Sequence, residues 1–286
     1  MRSWLFAPGD SEKKMGKAIA SDADIALLDL EDSVVPERKP EARRMVADAI
    51  RSAPDRARVW VRVNPLSGDW TAADLDAVVA AGPGGLFLPK AEGGEDVARL
   101  DAMIAEREEA AGIAPGSIKV AALVTETAAA MFTTGSYAAA PRLVAMSWGA
   151  EDLSSELGAR EQRGEDGEYL PVFELARSLC LLGAVKAGVA PIETVQPEFR
   201  DLEALQARAA RMRAQGFRGM LAIHPAQITP INAAFTPSPE EIAHARAVIE
   251  AFADQPGAGA VQMEGAMLDR PHLALAERLL AESGEA

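Results

Sequence analysis

Acidic residues in this chain of 286 residues recur just after short apolar runs, and the chemistry it could perform starts there. Asp29 and Glu31 stand two apart in Asp29-Leu30-Glu31-Asp32, so on an extended segment they share one face. Arg62 ends the next apolar run and offers a fixed counter-charge between them. A second reading stands beside this one: the motif is a solvated strand end or a helix N-cap, a role that suits Asp32 best. Glu126 and Asp152 end two later runs, and two carboxylates brought side by side repel unless a proton or a cation comes between them. Divalent metal is the sharper explanation, since Mg²⁺ is held by one or two carboxylates with water and substrate oxygens, while the three histidines show no zinc spacing. The alternative is that Glu126 opens a helix, whose dipole welcomes an acid. Lys13 and Lys17, four apart on one helical face, are either solvated or placed to meet a phosphorylated substrate.

Other polar residues constrain the chemistry by what they lack. His224, before Pro225, reads as a structural residue at a strand end, and His244 and His272 have no Ser or carboxylate at a triad spacing, which argues against nucleophilic hydrolysis. Gly93-Gly94 lacks the lysine and spacing of a phosphate cradle, so nucleotide hydrolysis has no support. Asp269, between a Gly- and Ala-rich stretch and Pro271, either caps the last helix or is carried into a site.

The elements that must position these residues alternate. Short apolar runs at 4–7, 25–30, 59–63, 85–88, 119–124, 142–146, 192–195 and 220–223 read as strands, separated by helical patterns. Eight strands alternating with helices imply a parallel sheet that closes most naturally into a (β/α)8 TIM barrel, with an open doubly wound sheet as the alternative. The barrel is expected over 1–236. Residues 237–286 are expected to form a C-terminal segment of helix, Gly/Ala-rich loop and lid helix. In a barrel the catalytic groups sit at the C-terminal strand ends, where Asp29, Glu31, Arg62, Lys90, Glu126, Asp152 and His224 all fall.

Composition narrows the partners. With 29 Lys and Arg against 43 Asp and Glu the net charge is −14, and 5% aromatics provide no base-stacking platform, so nucleic acid is not an expected partner. The single Cys180 lies in an apolar run and reads as a buried thiol. No apolar run approaches 18 residues and the N-terminal run is too short for a leader, so no membrane association and a cytoplasmic location are expected.

Eight motifs, in order across nearly the whole chain, resemble those of the CitE-like branch of the HpcH/HpaI aldolase and citrate lyase β-subunit family. They are Arg2-Ser3-Trp4-Leu5-Phe6-Ala7-Pro8-Gly9, Asp29-Leu30-Glu31-Asp32-Ser33-Val34, Arg62-Val63-Asn64, Pro89-Lys90, Glu126-Thr127, Gly149-Ala150-Glu151-Asp152-Leu153, Ile223-His224-Pro225 and Gly265 to His272. The resemblance implies a Mg²⁺-dependent (or Mn²⁺-dependent) carbon–carbon lyase acting on CoA thioesters of a malyl or citramalyl kind with a small oxo acid. It implies Glu126 and Asp152 as metal ligands, Glu126 also facing substrate, and Arg62 as the substrate-binding and catalytic cation. By the same resemblance Asp269 is a catalytic acid brought over a neighbouring subunit in a homotrimer or hexamer, and Lys13 and Lys17 contact the CoA phosphates. Two further activities are compatible with it: a 3-hydroxyacyl-CoA thioesterase, and a β-type subunit that takes a carrier-protein thioester within a complex. Two departures stand out. Glu193-Thr194-Val195-Gln196 replaces an Asp-Thr-Val-Tyr pattern on the seventh strand, which bears on the acyl pocket, and Pro36-Glu37-Arg38-Lys39 is unusually charged for the opening of a helix.

Overall fold

The computed structural model describes residues 1–263 and 265–283. Eight parallel strands, β1 (Ser3–Pro8), β2 (Ile25–Asp29), β3 (Val59–Arg62), β4 (Gly85–Leu88), β5 (Lys119–Leu123), β6 (Leu143–Ser147), β7 (Ala190–Glu193) and β8 (Gly219–Ala222), form a closed barrel in sequence order, β8 pairing with β1. The helices are α1 (Glu12–Ile19), α2 (Lys39–Ser52), α3 (Thr71–Val78), α4 (Gly94–Ala111), α5 (Ala128–Met131), α6 (Glu151–Leu157), α7 (Pro171–Ala187), α8 (Leu202–Gln215), α9 (Ile228–Ala234), α10 (Pro239–Ala253) and α11 (Arg270–Ser283). Closure rules out the open sheet.

The strands follow from composition. Runs such as Ile25-Ala26-Leu27-Leu28 and Val59-Trp60-Val61 are buried on both faces, as parallel strands between a barrel interior and a helical layer must be. The interior is filled by Trp4, Ile25, Leu27, Trp60, Phe87, Ala121, Leu123, Ala145, Ile192 and Leu221. Trp4 packs edge-on to Trp60, with ring centroids 5.0 Å apart, and lies 5.9 Å from Phe87. The tryptophans fill width where Ala121 and Ala145 leave it, so the barrel is a packed core and not a pore.

The chain divides into two compact units, Met1–Asn232 and Ala233–Ala286. In the second unit α10 begins at a capping box, in which the Ser238 Oγ accepts from the Glu241 amide at 3.2 Å and the Glu241 carboxylate accepts from the Ser238 amide at 2.7 Å. Its apolar face and that of α11 share a small core of Val248, Phe252, Val261, Leu268, Ala276 and Leu280. The Gly- and Ala-rich stretch expected to be a loop contains instead an antiparallel hairpin, β9 (Ala260–Met263) with β10 (Ala266–Asp269). Burial of Val261 and Leu268 against the helices supplies the apolar face that such a short pair of strands needs. No helix among the described residues is long and apolar enough to cross a membrane.

Candidate active site

Strand parity carries the core side chains into charged ones at the C-terminal mouth. Ile25 and Leu27 fill the interior and Asp29 follows two residues on; Trp60 does the same for Arg62. The β2–β3 register sets Asp29 opposite Arg62. The Arg62 guanidinium is bidentate on Asp29, Nε to Oδ1 and Nη2 to Oδ2 both at 2.7 Å, and Nη1 lies 2.9 Å from Glu31 Oε2. Its plane lies over Phe6 at 4.9 Å. Burial alone would lower the Arg62 pKa, but Asp29 and Glu31 outweigh it and raise it, so this cation is permanent. Asp29 in turn is held below the usual carboxylate range: its burial is overcome by Arg62 and by hydrogen bonds from the amides of Glu31 and Ser33, at 2.9 and 3.1 Å. Gly9 permits the strand end to close, because a Cβ there would lie 2.6 Å from the Asp29 carbonyl oxygen.

The cap expected at Asp32 is not found. Asp32 is 57% exposed, and α2 starts only at Lys39, after a single 3-10 turn over Pro36–Arg38. The charged opening of that helix has another use. Lys39 is buried, and its ammonium donates to the carbonyls of Leu30 (2.7 Å) and Glu31 (2.9 Å) and to Asn64 Oδ1 (2.8 Å). Asn64 also donates to the Leu30 carbonyl (3.0 Å) and to Asp74 (2.7 Å), which receives Arg43 at 2.7 Å. Every ammonium proton of Lys39 thus has an acceptor, and the turn that carries Glu31 is clamped from behind.

Glu126 lies beyond β5, buried, and accepts the Lys90 backbone amide at 2.6 Å. Thr127, not Glu126, caps α5, its hydroxyl accepting the Ala130 amide at 3.1 Å, so the helix-opening reading of Glu126 does not hold. Burial first, and then the charges of Glu31 and Asp152, push the Glu126 carboxyl up to about 8. Gly149 lies against it: a Cβ there would come within 3.1 Å of Glu126 Cγ and 3.2 Å of Oε1. Asp152 occupies the first turn of α6, and its Oδ1 lies 3.1 Å from Lys90 Nζ, which is also 2.6 Å from Glu31 Oε1. Burial pushes the Glu31 carboxyl up, against the opposing pull of Arg62 and Lys90.

Arg62, Glu126 and Asp152 line one cavity of about 890 Å³, together with Asp29, Trp148, Thr194 and Val195. Lys17 reaches it, but its companion is Lys14; Lys13 is exposed and does not line it. Met15 and Ala18 face inward from α1; from the midpoint between them Lys14 lies about 70° and Lys17 about 130° round the helix, whereas Lys13 lies about 170° away, on the outer face. His224 caps the 3-10 turn Pro225–Gln227, its Nδ1 accepting the Ala226 amide at 3.1 Å, and stacks on Phe199 at 4.6 Å. The departure on β7 leaves Glu193 fully buried, paired with Arg208 and accepting the Trp148 indole N–H at 3.0 Å. It therefore shapes the pocket by fixing Trp148, while Thr194 and Val195 form the wall. In the second unit Asp269 ends β10 and its Oδ1 lies 2.5 Å from His272 Nδ1, a pairing at i, i+3 that the sequence reading passed over.

The donors present fit a hard divalent cation. Among the described residues no group of three or more His, Cys, Asp and Glu is gathered as a cage. What the mouth offers is two carboxylates, one of them buried among like charges that a cation would relieve, in a cavity with room for water and substrate oxygens. That is the coordination Mg²⁺ favours.

A barrel with a fixed guanidinium and a carboxylate pair at its C-terminal mouth defines an enzyme class in which loops and strand ends carry the reaction. The chain belongs to the HpcH/HpaI aldolase/citrate lyase family, whose sequence model matches residues 2–225. It is 39% identical over 284 residues to a citrate lyase subunit beta-like protein of Mycobacterium tuberculosis, covering 99% of this chain and 96% of that one. It is 34% identical to a (3S)-malyl-CoA thioesterase of Cereibacter sphaeroides, covering 99% and 94%. A crystal structure of CitE from Mycobacterium tuberculosis in complex with magnesium, acetoacetate and coenzyme A is similar at 37% identity and a TM-score of 0.80, covering 99% and 98% of the two chains.

Proposed function

We propose that the chain is a Mg²⁺-dependent lyase that cleaves a malyl-CoA-like or citramalyl-CoA-like thioester to acetyl-CoA and glyoxylate or pyruvate, with the reverse condensation at the same site. The observation that carries this reading is the presence in one cavity of the Glu126 and Asp152 carboxylates and of an Arg62 guanidinium already locked by Asp29. The CitE structure bound to magnesium, acetoacetate and coenzyme A supports the ligand classes.

In this cleavage the hydroxyl proton leaves, the hydroxyl carbon becomes the carbonyl of the oxo acid, and the carbon–carbon electron pair passes to the thioester as an enolate, which takes a proton to give acetyl-CoA. Glu126 and Asp152 would hold Mg²⁺, which when bound would supply Lewis-acid stabilisation to the oxygens of the oxo-acid portion. Arg62 faces the thioester oxygen that gains charge, and because Asp29 and Glu31 pre-set it, no reorganisation is needed as charge develops. Lys14 and Lys17 at the mouth meet the CoA phosphates. Asp269, held by His272, is the catalytic carboxylate supplied by a neighbouring subunit of a homotrimer or hexamer.

The thioesterase relative favours one second reading, hydrolysis of the same thioester by water. Mass-spectrometric product identification from a panel of 3-hydroxyacyl-CoA esters with Mg²⁺ separates the two. Acetyl-CoA plus an oxo acid is the expected result; free CoA with intact malate or citramalate assigns the thioesterase. Silence across the panel, with turnover of a carrier-protein thioester, assigns a complex-bound β-type subunit.

A further inference from the structure

Lys90 touches both carboxylates given to the cation, one through its backbone and the other through its side chain. Its amide donates to Glu126 Oε2 at 2.6 Å, and its ammonium lies 3.1 Å from Asp152 Oδ1 and 2.6 Å from Glu31 Oε1, with Asp32 Oδ2 at 3.9 Å. To do both it adopts φ 50°, a left-handed backbone that residues other than glycine seldom hold. A glycine would deliver the same amide without strain, so what lysine adds at this position is the ammonium.

We propose that Lys90 is the resident counter-ion of the metal site: its ammonium neutralises Asp152 and Glu31 in the metal-free protein, gives up Asp152 when the divalent cation enters, and so sets the affinity for Mg²⁺. The inference rests on the metal reading of Glu126 and Asp152 above. Its physical basis is that a monovalent and a divalent cation drawn to one carboxylate repel each other strongly in a partly buried site. The side chain has a retreat, because Glu31, the nearer partner, remains to hold it. Two benefits follow. The acids of the mouth are kept from repelling one another before the metal arrives, and Glu31, which shares its other oxygen with Arg62, stays oriented in both states.

The sign of the effect separates this role from a merely structural one. A lysine that only props up the site would weaken metal binding when removed; a competing cation strengthens it. The test is calorimetric titration of MgCl₂ into the EDTA-stripped full chain at one pH and ionic strength, for wild type, K90R, K90G and K90M, with circular dichroism on each. K90G keeps the amide and relieves the backbone, while K90M keeps the stem without the charge. The expected result is Mg²⁺ bound about tenfold or more tightly by K90G and K90M, with K90R within about threefold of wild type because its charge is retained. Natively folded K90G and K90M that bind Mg²⁺ no better than a Mg²⁺-binding wild type overturn the role of Lys90 alone. A wild type that takes up no Mg²⁺ overturns the metal reading of Glu126 and Asp152, and this proposal with it.

Discussion

Arg62 and Glu126 show opposite ways of keeping an ionisable group inside a barrel mouth. Arg62 is paid for in full by its acids, so removing it strands Asp29, which is 2% exposed, and leaves the buried Glu31 to Lys90 alone. Arg62→Met is therefore expected to cost about 3–5 kcal/mol of stability, as breaking a buried pair does, and urea denaturation measures it; a cost near zero would mean that water reaches these carboxylates. Among the described residues Glu126 has the Lys90 backbone amide but no ion-pair partner, and it is pushed up to about 8. Between its ordinary value of 4.5 and about 8, the folded metal-free protein holds a proton that the unfolded chain releases. Stability contributed by Glu126 is thus complete below the ordinary value and is lost as pH rises toward about 8. Melting curves in EDTA should show the wild type losing ground to Glu126→Gln across this window, with Mg²⁺ closing the gap by binding the folded state. Parallel curves would contradict the shift. Asp29 acts in the other direction: its stabilisation is present above the unfolded carboxylate value and is lost as pH falls through its lowered one.

The elements explain what could be read from the sequence and what could not. All eight barrel strands were legible because each is a short apolar run, and their ends moved by only a residue or two; β6, expected from 142, starts at Leu143 because Arg142 is left-handed and turns to Glu108 and Asp101. Strand parity also made Asp29, Glu31 and Arg62 legible as a set, since it follows from alternation. The hairpin β9–β10 was hidden because its strands are short and mostly exposed, with only Val261, Met263 and Leu268 marking the inward face. Lys14 was missed for Lys13 because a four-residue spacing identifies a shared face but not which way it points; the buried Met15 and Ala18 decide that. Lys39 was legible only as an odd charge at a helix opening, two of its three acceptors being backbone carbonyls, which leave no mark in a sequence. Its removal tests the clamp: Lys39→Met is expected to lower turnover or Mg²⁺ affinity about 10–100-fold, the usual cost of losing a supporting contact behind a metal site. Steady-state kinetics and Mg²⁺ titration read this, and unchanged values would mean that Asn64 holds the Glu31 turn alone.

At the scale of the molecule, a chain of net charge −14 would draw the proposed CoA thioester through local cations, and Lys14 and Lys17, which line the cavity, are its proposed electrostatic entrance. Lys14→Glu with Lys17→Glu should weaken CoA-thioester use, most at low salt, in a series of KM values against ionic strength; a salt-independent KM would remove the lysines from the entrance. Cys180 reports on the barrel as a whole. It is fully buried in α7 and burial raises its thiol well above the ordinary range, so a thiol reagent should label it only as the barrel unfolds. Prompt labelling of native protein would show that α7 opens independently. The central claim is that one mouth unites a metal-holding carboxylate pair with Arg62 to break a carbon–carbon bond. Its most direct test is the release of acetyl-CoA from a malyl-CoA-like or citramalyl-CoA-like thioester as Mg²⁺ is titrated into EDTA-stripped wild type and Glu126→Gln. Saturable, Mg²⁺-dependent release by wild type that is lost in a folded Glu126→Gln is the expected result; release that persists in EDTA, or survives in Glu126→Gln, would contradict the account.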